Sequence, residues 1–338
     1  MPRAGAVLRA PPLAPRPETS RLSAYPAPHS TPIAAPADAA EARLARHLAA
    51  GFTALAATTY VLIVLGALVR AHGAGLACPD WPLCFGEVIP EFDFKVAFEW
   101  GHRVLAGSVG LVFLGLGIAT LRLPGLGHAM RTGLLVSAVL LAVQIVLGGL
   151  TVLELLASWT VTSHLVTGNA FALAVVLLAR RLFRLSAAER EPVVTAPGAL
   201  RIASAGTAAL LVTQIVLGGL VSSSHAGLVC PDWPTCMNGE YFPTWSGIQG
   251  LHVFHRTVGY SLVLALAATA WLAREHAGTR RWFAIAAAFG VAQVCVGIAN
   301  VLLRLPVEVT AAHSALAAGL VCTVGVGVRE TFRNATSS

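Results

Sequence analysis

Long apolar runs separated by short polar segments dominate this chain from about residue 50 onward. Eight runs are each long enough to cross a bilayer as a helix, which takes roughly 20 apolar residues. They cover residues 50–70, 98–121, 132–153, 158–179, 200–221, 251–273, 282–303 and 308–328. Because only helices and closed barrels satisfy every backbone group in lipid, the pattern predicts an all-α membrane protein with eight transmembrane helices.

Composition agrees with this pattern, since 56% of the residues are hydrophobic and only 12% are charged. An average soluble domain has about 25% charged residues. The first 40 residues are instead rich in proline and alanine and lack an apolar run long enough for a signal peptide. We therefore expect a disordered cytoplasmic tail over residues 1–48, with a cleaved targeting segment as the alternative.

A block of eleven residues occurs twice, 152 positions apart. Ala74 to Cys84 reads AGLACPDWPLC and Ala226 to Cys236 reads AGLVCPDWPTC, with nine identities. Duplication on this scale indicates two copies of one four-helix unit. We predict two pseudo-symmetric four-helix bundles, an amino-terminal repeat over 49–185 and a carboxy-terminal repeat over 186–338.

The cations predict the orientation of the chain in a cell membrane. If the amino terminus is cytoplasmic, 18 of the 23 lysines and arginines lie on the cytoplasmic side, as membrane proteins prefer. The net charge of +7 then reflects topology, and no basic stripe with interleaved aromatics suggests a nucleic-acid partner. Both termini are expected to be cytoplasmic, and both CPDWP blocks fall in outer loops, 71–97 and 222–250.

Each outer loop contains a Cys-x5-Cys pair with two prolines inside it, which favour a bent loop. On the oxidising side of a membrane such pairs should form disulfides, Cys78–Cys84 and Cys230–Cys236. The second disulfide is expected to staple its loop. For the first, a staple and a redox function both remain open, because exposed or strained disulfides are the reducible ones. Zinc binding by the four cysteines is an alternative with less typical spacing.

Four of the eleven histidines occupy matching places near the outer ends of the even-numbered helices: His102, His164, His255 and His313. At 1.5 Å per residue they share one depth in the membrane. Helices two and four of a bundle are diagonal partners, so two imidazoles per repeat can point into one cavity. This arrangement predicts two bis-histidine haem sites, against the alternative of polar interhelical contacts.

Other residues fit a flat macrocycle between helices. Arg103 and Arg256 each follow one of these histidines, where a guanidinium could pair with a haem propionate or with lipid headgroups. Residues 144–150 and 214–220 both read QIVLGGL, and the seventh helix has Gly297 in the corresponding run. Such small residues permit the close approach of a ring, or ordinary helix packing.

The two copies differ next to the second helix's histidine. The first repeat reads EWGHR over 99–103 and the second HVFHR over 252–256, so Glu99 stands where His252 does. Glu99 is three residues from His102 and shares its helix face. A carboxylate there can exchange protons or stabilise developing positive charge, whereas the alternative is a favourable charge at a helix amino terminus. The difference suggests a catalytic first half and an electron-holding second half.

These motifs together resemble the haem A synthase family, in its cysteine-containing bacterial type, over essentially all of residues 50–328. The resemblance implies oxidation of the C8 methyl of haem O to a formyl group, which gives haem A for terminal oxidases. It implies that His102 and His164 hold haem O and haem A as substrate and product, and that His255 and His313 hold a haem b. The family's functional residues fall here on Glu99, Cys78 and Cys84.

Two rival classes remain at this stage. One is a dihaem b-type cytochrome that passes electrons from quinol without modifying haem, and the other is a membrane thiol oxidoreductase. Expected partners are membrane lipid and haem O, with a haem O synthase or an oxidase assembly factor as candidate receivers of the product. A homo-oligomer is also compatible with the sequence. The electron donor and the roles of His252, His72 and His225 are not specified by it.

Overall fold

The computed structural model describes residues 39–91, 93–187 and 195–333, together with Met1. The described part of the chain is helical, as predicted, and contains eight α-helices. These are α1 (Ala39–Ala71), α2 (Phe94–Leu121), α3 (Pro124–Leu153), α4 (Ser158–Ser186), α5 (Gly198–Ser223), α6 (Gly247–Ala273), α7 (Ala277–Leu302) and α8 (Val307–Thr331), with a short 3-10 turn at Ala226–Leu228.

All eight helices are long and apolar enough to cross a membrane. Large apolar side chains face outward along them, as Leu111 on α2 and Leu264 on α6 show, exposed by 73% and 72%. Such surfaces would be costly in water but are solvated by lipid chains. The protein is therefore a multi-pass membrane protein.

Helix α1 begins earlier than the hydropathy pattern predicts. Residues 39–48, assigned from sequence to the tail, are helical, and Ala45 and Leu48 lie in a core cluster with Met130 of α3 and Leu182 of α4. Charged residues on the other faces of this first segment mask its apolar side chains in a hydropathy average. The rest of the expected tail lies outside the described residues.

The helices pack as two rings of four. In the first, α1, α2, α3 and α4 each contact their two neighbours, so α2 lies diagonally opposite α4; α5 to α8 repeat this order. The bundles meet through α1 with α8, α4 with α5, and α4 with α8. Both histidine-bearing helices of each bundle thus face each other across its centre.

The outer loops repeat each other in detail. Each contains a disulfide, Cys78–Cys84 with Cα atoms 4.7 Å apart and Cys230–Cys236 with Cα atoms 4.3 Å apart. All four cysteines are almost fully buried. Because disulfide sulfurs have no thiolate to offer, the zinc alternative is wrong.

Short turns on the same membrane face connect α3 to α4 and α7 to α8. Each places two non-glycine residues in the left-handed region, Leu155 and Leu156 in the first turn, with φ of 49° and 61°. This conformation costs roughly 1–2 kcal/mol per residue. Leu156 packs against Gly75 of the first disulfide loop, where an added Cβ would lie 3.5 Å from its methyl groups. The turn thereby fixes the loop beside the start of α4.

Candidate functional site

The four matched histidines lie against glycines of the preceding helix. Each is the seventh or ninth residue of its helix, roughly 9–12 Å from the helix start. A Cβ added at Gly66, Gly148, Gly218 and Gly297 would lie 3.0, 3.2, 3.1 and 3.1 Å from Cε1 of His102, His164, His255 and His313, respectively. The absence of a side chain at these glycines makes room for the imidazoles. The sequence indicated small residues in α3, α5 and α7 but missed Gly66, which only its alignment with the other three could have revealed.

The same histidines leave hydrogen-bonding capacity unused. Nδ1 of each imidazole is buried without a hydrogen-bond partner among the residues that the structure describes. Each histidine as a whole is only half-buried. Bis-histidine ligation of a haem needs two imidazoles that face one cavity, and the placement of each pair on diagonally opposite helices of its bundle is compatible with that.

Glutamines accompany the imidazoles of two helices. Gln144 Nε2 lies 3.1 Å from His164 Nε2, and Gln214 Nε2 lies 3.5 Å from His255 Nε2. Leu62 occupies the corresponding place on α1, four residues before Gly66. The first helix therefore has an aliphatic residue at the position where α3 and α5 have the amide that contacts an imidazole.

Glu99 and Arg103 join α2 to the first disulfide loop. Glu99 is 4% exposed, and its Oε2 accepts a hydrogen bond of 2.8 Å from the Cys78 amide. Its Oε1 accepts one of 2.6 Å from Arg103 Nη2. Arg103 also donates to the carbonyl oxygens of Cys78, Asp80 and Leu83, at 3.2, 2.7 and 2.6 Å. The carboxylate and guanidinium together organise the loop around its disulfide.

Arg256 does the same in the second loop. It donates to the carbonyl oxygens of Cys230, Asp232 and Thr235 at 2.7 to 3.0 Å. Its Nε donates to His252 Nε2 over 3.3 Å, so buried His252 takes the place of Glu99. In the structure both arginines donate hydrogen bonds to carbonyl oxygens of the loops. Their pairing with a haem propionate stays a prediction.

Asp80 stabilises the first loop by accepting hydrogen bonds from its backbone amides. Its two carboxylate oxygens accept hydrogen bonds of 2.7 Å from the amides of Phe85 and Gly86. These bonds, that from Gly86 most strongly, and the nearby Arg103 charge lower the pKa of the Asp80 carboxyl. The carboxylate is therefore charged at neutral pH, and its contribution to the loop is lost only in acid.

The tryptophans of the two CPDWP blocks differ in their contacts. Trp81 lies over Gly149 of α3, where a Cβ would be 3.2 Å from the indole ring, one residue from the glycine that faces His164. Trp233 instead donates its indole N–H to the Tyr260 hydroxyl over 3.1 Å. The first loop thus reaches the helix that borders its histidine pair.

Two further histidines belong to the loops. His72 packs against the rings of Phe94 and Phe98, both 5.0 Å away between ring centres. His225 is exposed and lies in the left-handed region, with φ of 54°. Their contacts are those of loop-packing residues.

The fold and the site define a multi-pass helical membrane protein with one histidine pair in each of two repeated bundles. The chain belongs to the cytochrome oxidase assembly protein family COX15-CtaA, whose model matches residues 50–324. It is 29% identical to the heme A synthase of Shewanella oneidensis over 79% of this chain and 91% of the relative. It is 30% identical to the heme A synthase of Halalkalibacterium halodurans, covering 81% of this chain and 93% of the relative.

Proposed function

We propose that this protein is a haem A synthase, an oxidoreductase that converts the C8 methyl of haem O to the formyl group of haem A by successive hydroxylations. The observation that carries the proposal is the histidine pair in each bundle, which lies on diagonally opposite helices with each imidazole against a glycine of the preceding helix. The names of its full-length relatives support the reaction.

The two halves then have different tasks. His255 and His313 would hold a resident haem b, which when bound supplies one-electron transfer. His102 and His164 would hold haem O and its oxidised product. The carboxylate of Glu99, which the second half replaces with His252, supports placing the reaction in the first half.

The outward face of α2 also supports this division. A Cβ added at Gly101 or Gly107 would meet no atom within 4 Å, so both glycines border open space. The corresponding residues of α6 are the bulky Phe254 and Tyr260. Helices α2 and α3 also pack less extensively than α6 and α7. Small residues on the lipid-facing sides of α2, the helix that carries His102, leave room for the long isoprenoid tail of a substrate haem.

The first loop would position Glu99 for the reaction. Its Arg103 contacts and the Asp80 bonds fix the segment above the first histidine pair. Burial of Cys78 and Cys84 favours a stapling role for their disulfide. A redox role for this pair remains a prediction that substitution can test.

We further propose that the protein lies in the cell membrane with both termini in the cytoplasm and the disulfide loops outside. A haem O synthase or an oxidase assembly factor would receive or supply its haem. These assignments rest on the distribution of cations and on the chemistry of an apolar haem that is poorly soluble in water.

Haem extraction tests the reaction directly. The full chain is produced in cells together with a source of haem O, and the extracted haems are separated by chromatography and identified by mass. We expect haem A in these cells beside haem b and haem O, and haem b and haem O without haem A when His102→Ala replaces the natural chain. Haem b without haem A from well-folded natural protein would instead indicate a dihaem cytochrome.

The location of the resident haem is tested separately on purified protein. His255→Ala or His313→Ala should abolish the low-spin haem b spectrum, because each removes an axial ligand. His102→Ala is the matched control and should keep that spectrum. A spectrum that survives both second-half substitutions would contradict the assignment.

A further inference from the structure

A group of arginines surrounds one carboxylate at the membrane face opposite the disulfide loops. Glu330 lies in the last turn of α8, and its side chain is 6% exposed. It accepts hydrogen bonds from Arg180, Arg184 and Arg333, at 2.8 to 3.1 Å. We propose that this arginine group binds the phosphate of an anionic phospholipid headgroup.

The group contains more positive charge than its carboxylate can balance. Arg180, Arg184 and Arg333 share the single carboxylate of Glu330, and the charges of Arg181 and Arg329 lie close enough to act on this group. Because several arginine charges share one carboxylate, a further anion would stabilise this arrangement.

Two hydrogen-bond donors beside the group have no acceptor. Arg180 Nε–H and the indole N–H of Trp282 are both buried without a partner among the described residues. The Arg180 guanidinium carbon lies 4.6 Å from the centre of the Trp282 ring, and that of Arg281 lies 5.0 Å from the same ring. Unsatisfied buried donors are costly, and phosphate oxygens can accept several hydrogen bonds at once. A phosphate that contacts Arg180 or Trp282 would supply the missing acceptor.

Topology alone does not account for these features. Basic residues are generally enriched at one membrane face, and cations near a helix carboxyl terminus are favourable. Arg122 and Arg131 at the same face meet those needs while lying exposed. Arg180, Arg184 and Arg333 are instead partly buried between α4 and the end of α8, as in the basic pockets between transmembrane helices that bind lipid headgroups.

The test uses the full chain purified in neutral detergent and titrated with phosphatidylglycerol or phosphatidylcholine, with bound lipid counted by native mass spectrometry. We expect the natural protein to retain phosphatidylglycerol and to bind phosphatidylcholine weakly. Arg181→Gln/Arg329→Gln should weaken phosphatidylglycerol binding by roughly tenfold or more, since each basic group near a charged headgroup contributes about 1 kcal/mol. These two arginines make none of the bonds to Glu330, so the helix contact should survive.

Arg122→Gln/Arg131→Gln is the matched control, because it removes the same charge from the same membrane face. It should keep the binding of the natural protein; equal losses in the two variants would overturn the proposal. Trp282→Phe retains the ring but lacks the N–H, and should bind more weakly than the natural protein. If neither Trp282→Phe nor the Arg181/Arg329 variant changes binding, or if inorganic phosphate displaces the lipid at equal concentration, there is no headgroup site.

Discussion

The two repeats differ in the side chain that pairs with their matching arginine: this side chain is Glu99 in the first repeat and His252 in the second. Arg103 shares a buried ion pair with Glu99, whereas Arg256 donates to the neutral ring of His252. Both arginines keep three carbonyl contacts to their loop. The carboxylate is therefore not required to organise such a loop, which leaves its charge free to serve another purpose in the first half.

Glu99→Gln removes the charge of this residue and keeps one of its two hydrogen bonds, because the amide has a single acceptor oxygen. Arg103 keeps its three carbonyl contacts, so the loop and its disulfide should remain intact. If the charge acts in proton exchange, haem A formation should fall by roughly 100-fold, while haem b stays bound. The measurement is the haem A to haem b ratio, with disulfide content of the same sample as the control. Full haem A yield would remove the catalytic role.

Gly218→Ala tests whether a glycine sets the position of a ligand imidazole. The new Cβ would lie 3.1 Å from His255 Cε1, closer than ordinary contact, so the ring must turn or shift. We expect lower haem b occupancy or a changed electron paramagnetic resonance spectrum. Gly206→Ala, on the same helix, meets no atom within 4 Å and should leave both unchanged. Identical spectra for the two variants would contradict the positioning role.

Residue identities alone predicted part of this site. The histidines and cysteines were recognisable because few side chains ligate iron or form disulfides, and helix geometry then gave their common depth. The contacts of Arg103 and Arg256 were not predicted, since their acceptors are backbone carbonyls of the loops and have no side-chain signature. The acceptors of Glu99 were missed for the same reason, because one of them is the Cys78 amide.

At the scale of elements, hydropathy predicted eight helices because lipid imposes long apolar runs. It placed the start of α1 about ten residues late, since residues 39–48 bury apolar side chains on one face and carry charges on the others. The structure of the loops cannot be predicted from hydrophobic periodicity. Their shape depends on the disulfides, on Asp80, and on a turn that places Leu156 against Gly75.

Cys78→Ser tests what the first disulfide contributes to its loop. At neutral pH, Asp80 and Arg103 should still hold the loop, so we expect haem A yield per folded molecule to persist. The pKa of Asp80 is lowered in the folded loop, so its stabilisation is present above its ordinary value of 3.8 and is lost as the pH falls further. Limited proteolysis should therefore cleave the Cys78→Ser loop faster below about pH 4, while the natural loop resists.

The outcome for catalysis is separate from that for stability. Loss of haem A from protein whose loop remains protease-resistant would show that the disulfide takes part in electron transfer. Cys230→Ser provides the comparison in the second half, where a staple is expected and haem A yield should be unchanged.

At the scale of the whole molecule, the two bundles share one architecture but differ in the residues around their histidines. Both halves contain a disulfide loop, a turn with left-handed residues, and two histidines that each pack against a glycine of the preceding helix. The first half differs from the second at three places around its histidines. It has Glu99 in place of a histidine, Leu62 in place of a glutamine, and Gly107 on α2 where α6 has Tyr260. A resident cofactor needs a closed site, whereas a substrate that enters from lipid and leaves as product needs an open one.

Gly107→Tyr would give the first half the outward residue of the second. Because Gly107 borders open space, the tyrosine should be accommodated without displacing helix packing, and protein yield and the haem b spectrum should not change. If the α2 face admits haem O, haem A formation should fall several-fold, and Gly107→Ala should cause a much smaller loss because its methyl group blocks little of the face. Equal haem A yields from the tyrosine variant and the natural chain would show that the substrate reaches His102 by another route.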